Sequence, residues 1–284
     1  MRLNGTDSKR NSYPSMDFGS KKVTFVNTSQ PTNPIRMKPI IVICGFLSFA
    51  GSVIAQERGQ QFYAHEDIVK PSMNAAYVNF VGKVKEAYQK HNVAMNWSTL
   101  RMDDNTYVFF SPIKDFDIGS VRKSFADAQG KMGTEPFASL WSEKGNYIES
   151  HSEFITAALP QYNYLAPAEG ENFRHMMFWF PLPGKQAEVD QLMKEWIELH
   201  RSKNAPRGYE TFRTVFGGEP GYVIVNWGKD QLDNVAKAKA TNELFGEAGA
   251  KLWARTLAVT SKMYNKDGWF LPALSYNNQP VMVK

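Results

Sequence analysis

The chain has 284 residues, with 33 Lys and Arg against 28 Asp and Glu, a formal net charge of +5 and one cysteine. Seven of the basic and two of the acidic residues fall in positions 1–55, which leaves 26 of each sign in the remaining 229 residues. The basic excess therefore belongs to the N-terminal segment, and the rest lacks the positive footprint of a general nucleic-acid binder. The lone Cys44 excludes a disulfide framework or a thiolate metal centre.

Positions 1–36 are polar and without periodicity, whereas Met37-Lys38 opens an apolar run that ends in Val53-Ile54-Ala55. A positive residue, an apolar stretch and a small-x-small end are the anatomy of a secretory signal peptide, with cleavage before Gln56. The expectation is a leader over 1–55, its signal peptide spanning 37–55 and Met37 the working start. The mature product is then exported, periplasmic or extracellular, with no stable membrane span after cleavage. Bulky Ile43 argues against lipid attachment at Cys44.

From residue 60 onward the chain repeats itself. Leu140-Trp141 returns as Leu252-Trp253, and Leu159-Pro160-Gln161-Tyr162-Asn163-Tyr164 returns as Leu271-Pro272-Ala273-Leu274-Ser275-Tyr276, both displaced by 112 positions. Trp97-Ser98-Thr99-Leu100-Arg101 meets Tyr209-Glu210-Thr211-Phe212-Arg213 at the same displacement. Two modules follow, 56–167 and 168–284, joined through Pro167-Ala168-Glu169-Gly170.

Each module is expected to begin with a strand, 62–69 in the first, broken by Lys70-Pro71-Ser72 before a helix. Tyr77, Phe80, Val81, Val84 and Tyr88 recur at spacings of three and four and make one apolar stripe, matched by Val189, Leu192, Met193 and Trp196. Strands over 97–102 and 107–111, with counterparts over 209–215 and 222–226, turn through Asp103-Asp104-Asn105 and Gly217-Gly218-Glu219-Pro220. Short helical pieces are placed at 121–128 and 234–240. A longer helix is read through Phe137, Leu140, Trp141, Ile148 and Ile155, and a closing strand over 162–166.

Strand, helix, strand, strand, helix, strand is the ferredoxin-like βαββαβ order. Helices cover only one face of such a sheet, so the second copy is the available partner for the other. The expected fold is α+β: two tandem modules pressed into an intrachain pseudo-dimeric α/β barrel. The duplicated pattern, with Lys70-Pro71-Ser72 and Leu182-Pro183-Gly184 before the first helices, resembles the dimeric α/β-barrel superfamily over residues 60–278. That resemblance implies a pocket between helix and sheet or within the barrel. The superfamily includes cofactor-free monooxygenases, haem-dependent enzymes, isomerases and proteins of no assigned activity, so it does not choose the chemistry.

Alternation sorts strand residues by face. Leu100 and Phe212, with Met176, Phe178 and Phe180, are assigned to the face beneath the helices. Tyr63, His65, Asp67, Trp97, Thr99, Arg101, His175, Met177, Trp179, Tyr209, Thr211 and Arg213 are assigned to the barrel interior. There Arg101 and Arg213 are candidates for gripping an acidic ligand, unless they form structural ion pairs. Trp97, Tyr209, Trp179 and Tyr63 supply aromatic walls. His65, with Asp67 beside it, and His175 are candidate general bases, the alternative being simple hydrogen-bonded pairs. His151, with Met263 in its place in the second copy, is read either as a haem ligand or as a satisfied core histidine. His91 and His200 fall at helix C-termini, where cationic capping accounts for them.

The functional expectation is an exported small-molecule-binding protein or enzyme using the chamber between the sheets. Its ligand is acidic or aromatic, it uses no cofactor or metal, and it is a monomer or weak homo-oligomer. Alternatives are a cofactor-free or haem-dependent oxygenase, and a non-catalytic cell-envelope protein.

Overall fold

The computed structural model describes residues 59–278. The leader, its cleavage site and Cys44 lie outside the described residues. Within them the first half comprises β1 (Gln61–Val69), α1 (Asn74–Lys90), β2 (Asn96–Met102), β3 (Thr106–Ile113), α2 (Ile118–Met132), α3 (Thr134–Ser142), α4 (Lys144–Tyr147) and β4 (Ile148–Ala158). The second half comprises β5 (Phe173–Pro181), α5 (Gln186–Lys203), β6 (Tyr209–Phe216), β7 (Tyr222–Gly228), α6 (Gln231–Ala258) and β8 (Thr260–Phe270), followed by the short β9 (Tyr276–Asn277).

The strands run in the order β3-β1-β4-β6-β7-β5-β8-β2, and a further β2–β3 pairing closes them into an eight-stranded antiparallel barrel. Each half supplies four strands, and the seams are β4–β6 and β2–β8. Closure leaves only β9 as an addition to one strand, which removes the exposed edges of two open sheets. The architecture is thus the expected α+β pseudo-dimer.

The apolar stripe of α1 is buried at all five expected positions, Tyr77, Phe80, Val81, Val84 and Tyr88. In α5, Val189, Leu192 and Met193 are buried, with Trp196 packed beside them. The long helix read through Ile155 is corrected. Helix α3 ends at Ser142, and Ile148, His151 and Ile155 lie on β4, paired with β1. Separations of seven place these residues on one helical face, but pairing with β1 takes the segment into the sheet, so tertiary context overrides the local period. The closing strand expected at 162–166 is instead a 3₁₀ turn, Pro160–Tyr162, followed by a single bridge between Tyr164 and Tyr209.

That turn and its repeat lock the halves together. Tyr162 packs in the cluster under α5 and α6, whereas Leu274 and Tyr276 pack under α1. Each half therefore sends its tail across to the other. Leu159 donates its N–H to Thr211 O at 2.8 Å, and Leu271 donates to Thr99 O at 2.8 Å. The Thr211 hydroxyl donates to Tyr162 O at 3.3 Å and the Thr99 hydroxyl to Leu274 O at 3.0 Å. Both threonines are fully buried. Trp97 Nε1 adds a bond to Leu274 O, and the Tyr276 hydroxyl bonds to Tyr88 O or Val93 O.

A buried hydrogen bond contributes about 1 kcal/mol net. Thr99→Val and Thr211→Val are each expected to lower stability by about 1 kcal/mol, near-additively when combined. Urea denaturation of the single and double variants measures this, and a null effect at both sites would contradict the reciprocal lock.

Candidate functional site

The barrel turns the opposite faces inward from those assigned by alternation. Leu100, Met176, Phe178 and Phe212 line the interior, together with Phe62, Phe110, Phe154, Val223 and Val225. Tyr63, His65, Asp67, Trp97, Trp179 and Tyr209 stand on the outer face, beneath the helices. The assignment failed because β1, β2, β5 and β7 are covered over most of both faces, one by the partner sheet and one by helices. Polarity then marks helix-side cavities rather than the barrel lumen. A chamber of about 460 Å³ does lie between the sheets, but its charged groups are Glu66, Arg174 and Glu210, with Glu219 at its rim, and none of the expected ones. Burial raises the Glu66 and Glu210 carboxyls above their ordinary range and lowers the Arg174 guanidinium.

The two arginines expected to meet in that chamber do not. Arg101 is half-buried and donates from Nη2 to Asn105 Oδ1 at 3.1 Å, while Arg213 is exposed on β6. His175 is held by Asp267 at 2.7 Å, away from both helix-side cavities. His151 is exposed on β4, its ring 5.6 Å from that of His65, and it lines neither cavity.

The first helix-side cavity, about 160 Å³, lies under α1 and the α2–α4 segment and gathers Tyr63, His65, Asp67 and Trp97. Asp67 is buried and takes three donors. His65 Nε2 is 3.0 Å from Oδ1, and Oδ2 is 2.6 Å from the Tyr77 hydroxyl and 2.9 Å from Lys144 Nζ. Desolvation opposes ionisation, but the His65, Lys144 and Tyr77 contacts outweigh it and hold the carboxyl below its usual range. Burial and the neighbouring Asp67 push the Tyr77 phenol far up.

The second, about 450 Å³, lies between α5, α6 and the outer face of β5–β7. Its walls include Trp179, Trp196, Tyr209, Phe245 and Trp253. Helix α6 breaks its regular course over this cavity at Gly246, whose φ of 51° and ψ of −132° suit a residue without Cβ. Among the described residues, nine buried side-chain polar atoms have no protein partner, and five of them belong to residues lining this cavity. They are Trp179 Nε1, Arg207 Nε, the Tyr209 hydroxyl, Asn226 Oδ1 and the Thr241 hydroxyl. Native interiors rarely leave such atoms unmatched, and their gathering makes this cavity polar within its aromatic walls. Arg207 Nη2 donates to Asn234 Oδ1 at 3.0 Å, and burial brings the guanidinium down to about 10.

His200 lies on the same wall. Its Nδ1–H donates to Trp196 O at 2.8 Å, and among the described residues Nε2 makes no hydrogen bond. Phe245 and Tyr209 crowd the ring at 4.7 and 4.8 Å. Burial lowers its pKa to about 4, so the cationic capping expected for His200 is corrected: the imidazole is neutral at physiological pH. The spacing had placed it correctly near a helix end; only the tertiary environment reveals its charge state. Among the described residues no group of three or more His, Cys, Asp and Glu is arranged to hold a metal ion, and no helix is long and apolar enough to cross a membrane.

No protein-family model matches the chain, and no curated protein matches it in sequence. Solved structures do resemble it. An anthrone oxidase-like protein is 14% identical over 76% of this chain and 93% of its own, with a TM-score of 0.51. A candidate monooxygenase from Lactobacillus acidophilus is 4% identical over 78% and 97%, at a TM-score of 0.47. Chlorite dismutase from Candidatus Nitrospira defluvii, in complex with imidazole, is 8% identical over 76% and 93%, at 0.46. At these identities the likeness is one of fold alone, a closed antiparallel barrel covered by helices. The expectation that no cofactor is used is withdrawn, with chlorite dismutases in complex with imidazole and with cyanide among the similar folds.

The His200 environment sets a pH dependence. The unfolded chain takes up a proton near 6.5, whereas the folded one refuses it until about 4. Stability is therefore fullest above pH 6.5 and falls by about 3 kcal/mol as pH drops through that window. His200→Gln should flatten this part of the curve, read by denaturant unfolding between pH 7 and pH 4.

Proposed function

We propose that this protein is an oxidative enzyme that holds a haem-type cofactor in the cavity under α5 and α6 and acts on a small aromatic molecule. The observation that carries the reading is the state of His200: a neutral imidazole on the cavity wall, its Nδ1–H given to a backbone carbonyl and its Nε2 without a partner among the described residues. An iron-ligating histidine needs that arrangement, because the hydrogen bond at one nitrogen fixes the tautomer that leaves a lone pair on the other.

The surrounding residues suit the group. About 450 Å³ falls within the usual range for ligand pockets, roughly 300–1,000 Å³. Trp179, Trp196 and Trp253 offer flat apolar surface to a planar ring system, and half-buried Arg207 offers a cation to an acidic substituent. The unmatched Tyr209 and Thr241 hydroxyls and Asn226 Oδ1 supply hydrogen-bonding positions that orient whatever enters. When bound, a haem supplies one-electron and oxygen chemistry that side chains lack. The chain's own part is to ligate, to orient and to exclude water through the apolar walls. The anthrone oxidase-like protein agrees in fold, and its name matches the oxidation of an aromatic compound. Export through residues 37–55 belongs to the same proposal, and N-terminal sequencing of secreted protein checks it.

Titration of the purified chain with haemin should give a one-to-one complex with a shifted Soret band. His200→Ala should weaken binding at least tenfold and return the spectrum toward that of free haemin. Equal affinity in the variant, with its fold retained by circular dichroism, would overturn the assignment.

A further inference from the structure

The cavity under α1 has a chemistry of its own, and the argument for it does not rest on the cofactor reading. At about 160 Å³ it matches the scale of an apolar cavity of ~150 Å³ that takes up benzene. Phe80, Trp97 and Phe125 give it aromatic walls. Two further wall residues carry buried polar atoms with no hydrogen-bond partner among the described residues: the Tyr88 hydroxyl and Trp141 Nε1. Packing holds both side chains in place. The Tyr88 ring lies 5.6 Å from Trp97 and 6.1 Å from Tyr276, and the Trp141 ring lies 5.5 Å from Phe125 and 5.9 Å from Phe80. Burial pushes the Tyr88 phenol far up, against a smaller opposing pull from neighbouring Trp141, so the hydroxyl keeps its hydrogen. An indole N–H only donates, so even a bond from Trp141 to the Tyr88 oxygen would leave the phenolic hydrogen unspent. The group around Asp67 does not absorb it. Asp67 is met by Tyr77, Lys144 and His65, and Tyr77 stands about three helical turns before Tyr88 on α1.

We propose that this cavity binds a single-ring aromatic carbonyl compound, its carbonyl oxygen taking the hydrogens of Trp141 Nε1 and the Tyr88 hydroxyl. Such an oxygen has two lone pairs and brings no hydrogen of its own, so one atom meets both donors. The aromatic walls select for a ring, and the cavity volume limits it to one. Binding moves no proton and depends on no charge at His65 or Lys144.

The test uses acetophenone and α-methylstyrene with the full chain, two probes of one shape in which a methylene replaces the oxygen. Isothermal titration reads affinity, and infrared difference spectroscopy reads the carbonyl band. Acetophenone should bind with its band at lower wavenumber than in an apolar solvent. Tyr88→Phe and Trp141→Phe should each weaken acetophenone about fivefold, the worth of one net hydrogen bond, and move the band upward. Neither should weaken α-methylstyrene, because that probe has no oxygen to lose a bond. Three results overturn the proposal: no binding of acetophenone, an equal loss of both probes in Tyr88→Phe, or a carbonyl band that both substitutions leave in place. Tyr88→Phe removes one unmatched oxygen and keeps the ring, so if Trp141→Phe fails to fold, the Tyr88→Phe affinities and spectrum decide.

Discussion

Two four-stranded sheets, each covered by helices on one side, must bury their other faces, and everything in this molecule follows from how they do so. They pair along the β4–β6 and β2–β8 seams until no open edge of the eight remains. The lumen is lined by Leu100, Met102, Val108 and Met176, so closure is driven by apolar burial as well as by backbone pairing. Reciprocal tails secure the result: Leu159–Tyr164 lies on the second half and Leu271–Tyr276 on the first, held by matched bonds to Thr211 and Thr99. A chain built by duplication thus reproduces, within itself, the mutual grip of two subunits.

This closure dictates where chemistry can occur. The lumen is walled by phenylalanines, and its few charged groups are held there against desolvation. The outer face of each sheet instead meets helices whose packing leaves room: a small cavity in the first half and a larger one in the second. The halves have diverged inside one scaffold. In the first, a carboxylate, an imidazole, an ammonium and a phenol form one hydrogen-bonded group. In the second, a neutral histidine, a half-buried arginine and several unmatched polar atoms surround a space that the break at Gly246 helps to shape. Duplication allows such a split, because each half contributes its strands to closure whatever its cavity does.

Much of the architecture was legible from residues alone. The 112-residue displacement identified the paired tails, and the stripe from Tyr77 to Tyr88 identified the buried face of α1. The spacing failed at β4, where Ile148 and Ile155, seven apart, suit one face of a helix and the pairing with β1 makes a strand instead. It failed again on the faces of the strands. His65 and Asp67 were recognised as neighbours, as were the aromatic groups Trp97 and Tyr209, but the side of the sheet on which they stand was reversed. The signal for the second cavity was weaker still. His200 looks like a helix-end cation until Phe245, from a helix 45 residues further on, closes over it.

Sequence by itself determined the duplication, the ferredoxin-like order and which helical faces are apolar, because these depend on local periodicity and self-similarity. Tertiary structure decided which strand face turns inward, the neutrality of His200 and the meeting of Lys144 with His65. Those depend on burial and on contacts between residues far apart in the chain. Where both faces of a strand are covered, alternation tells two sides apart but carries no information about which one is the lumen.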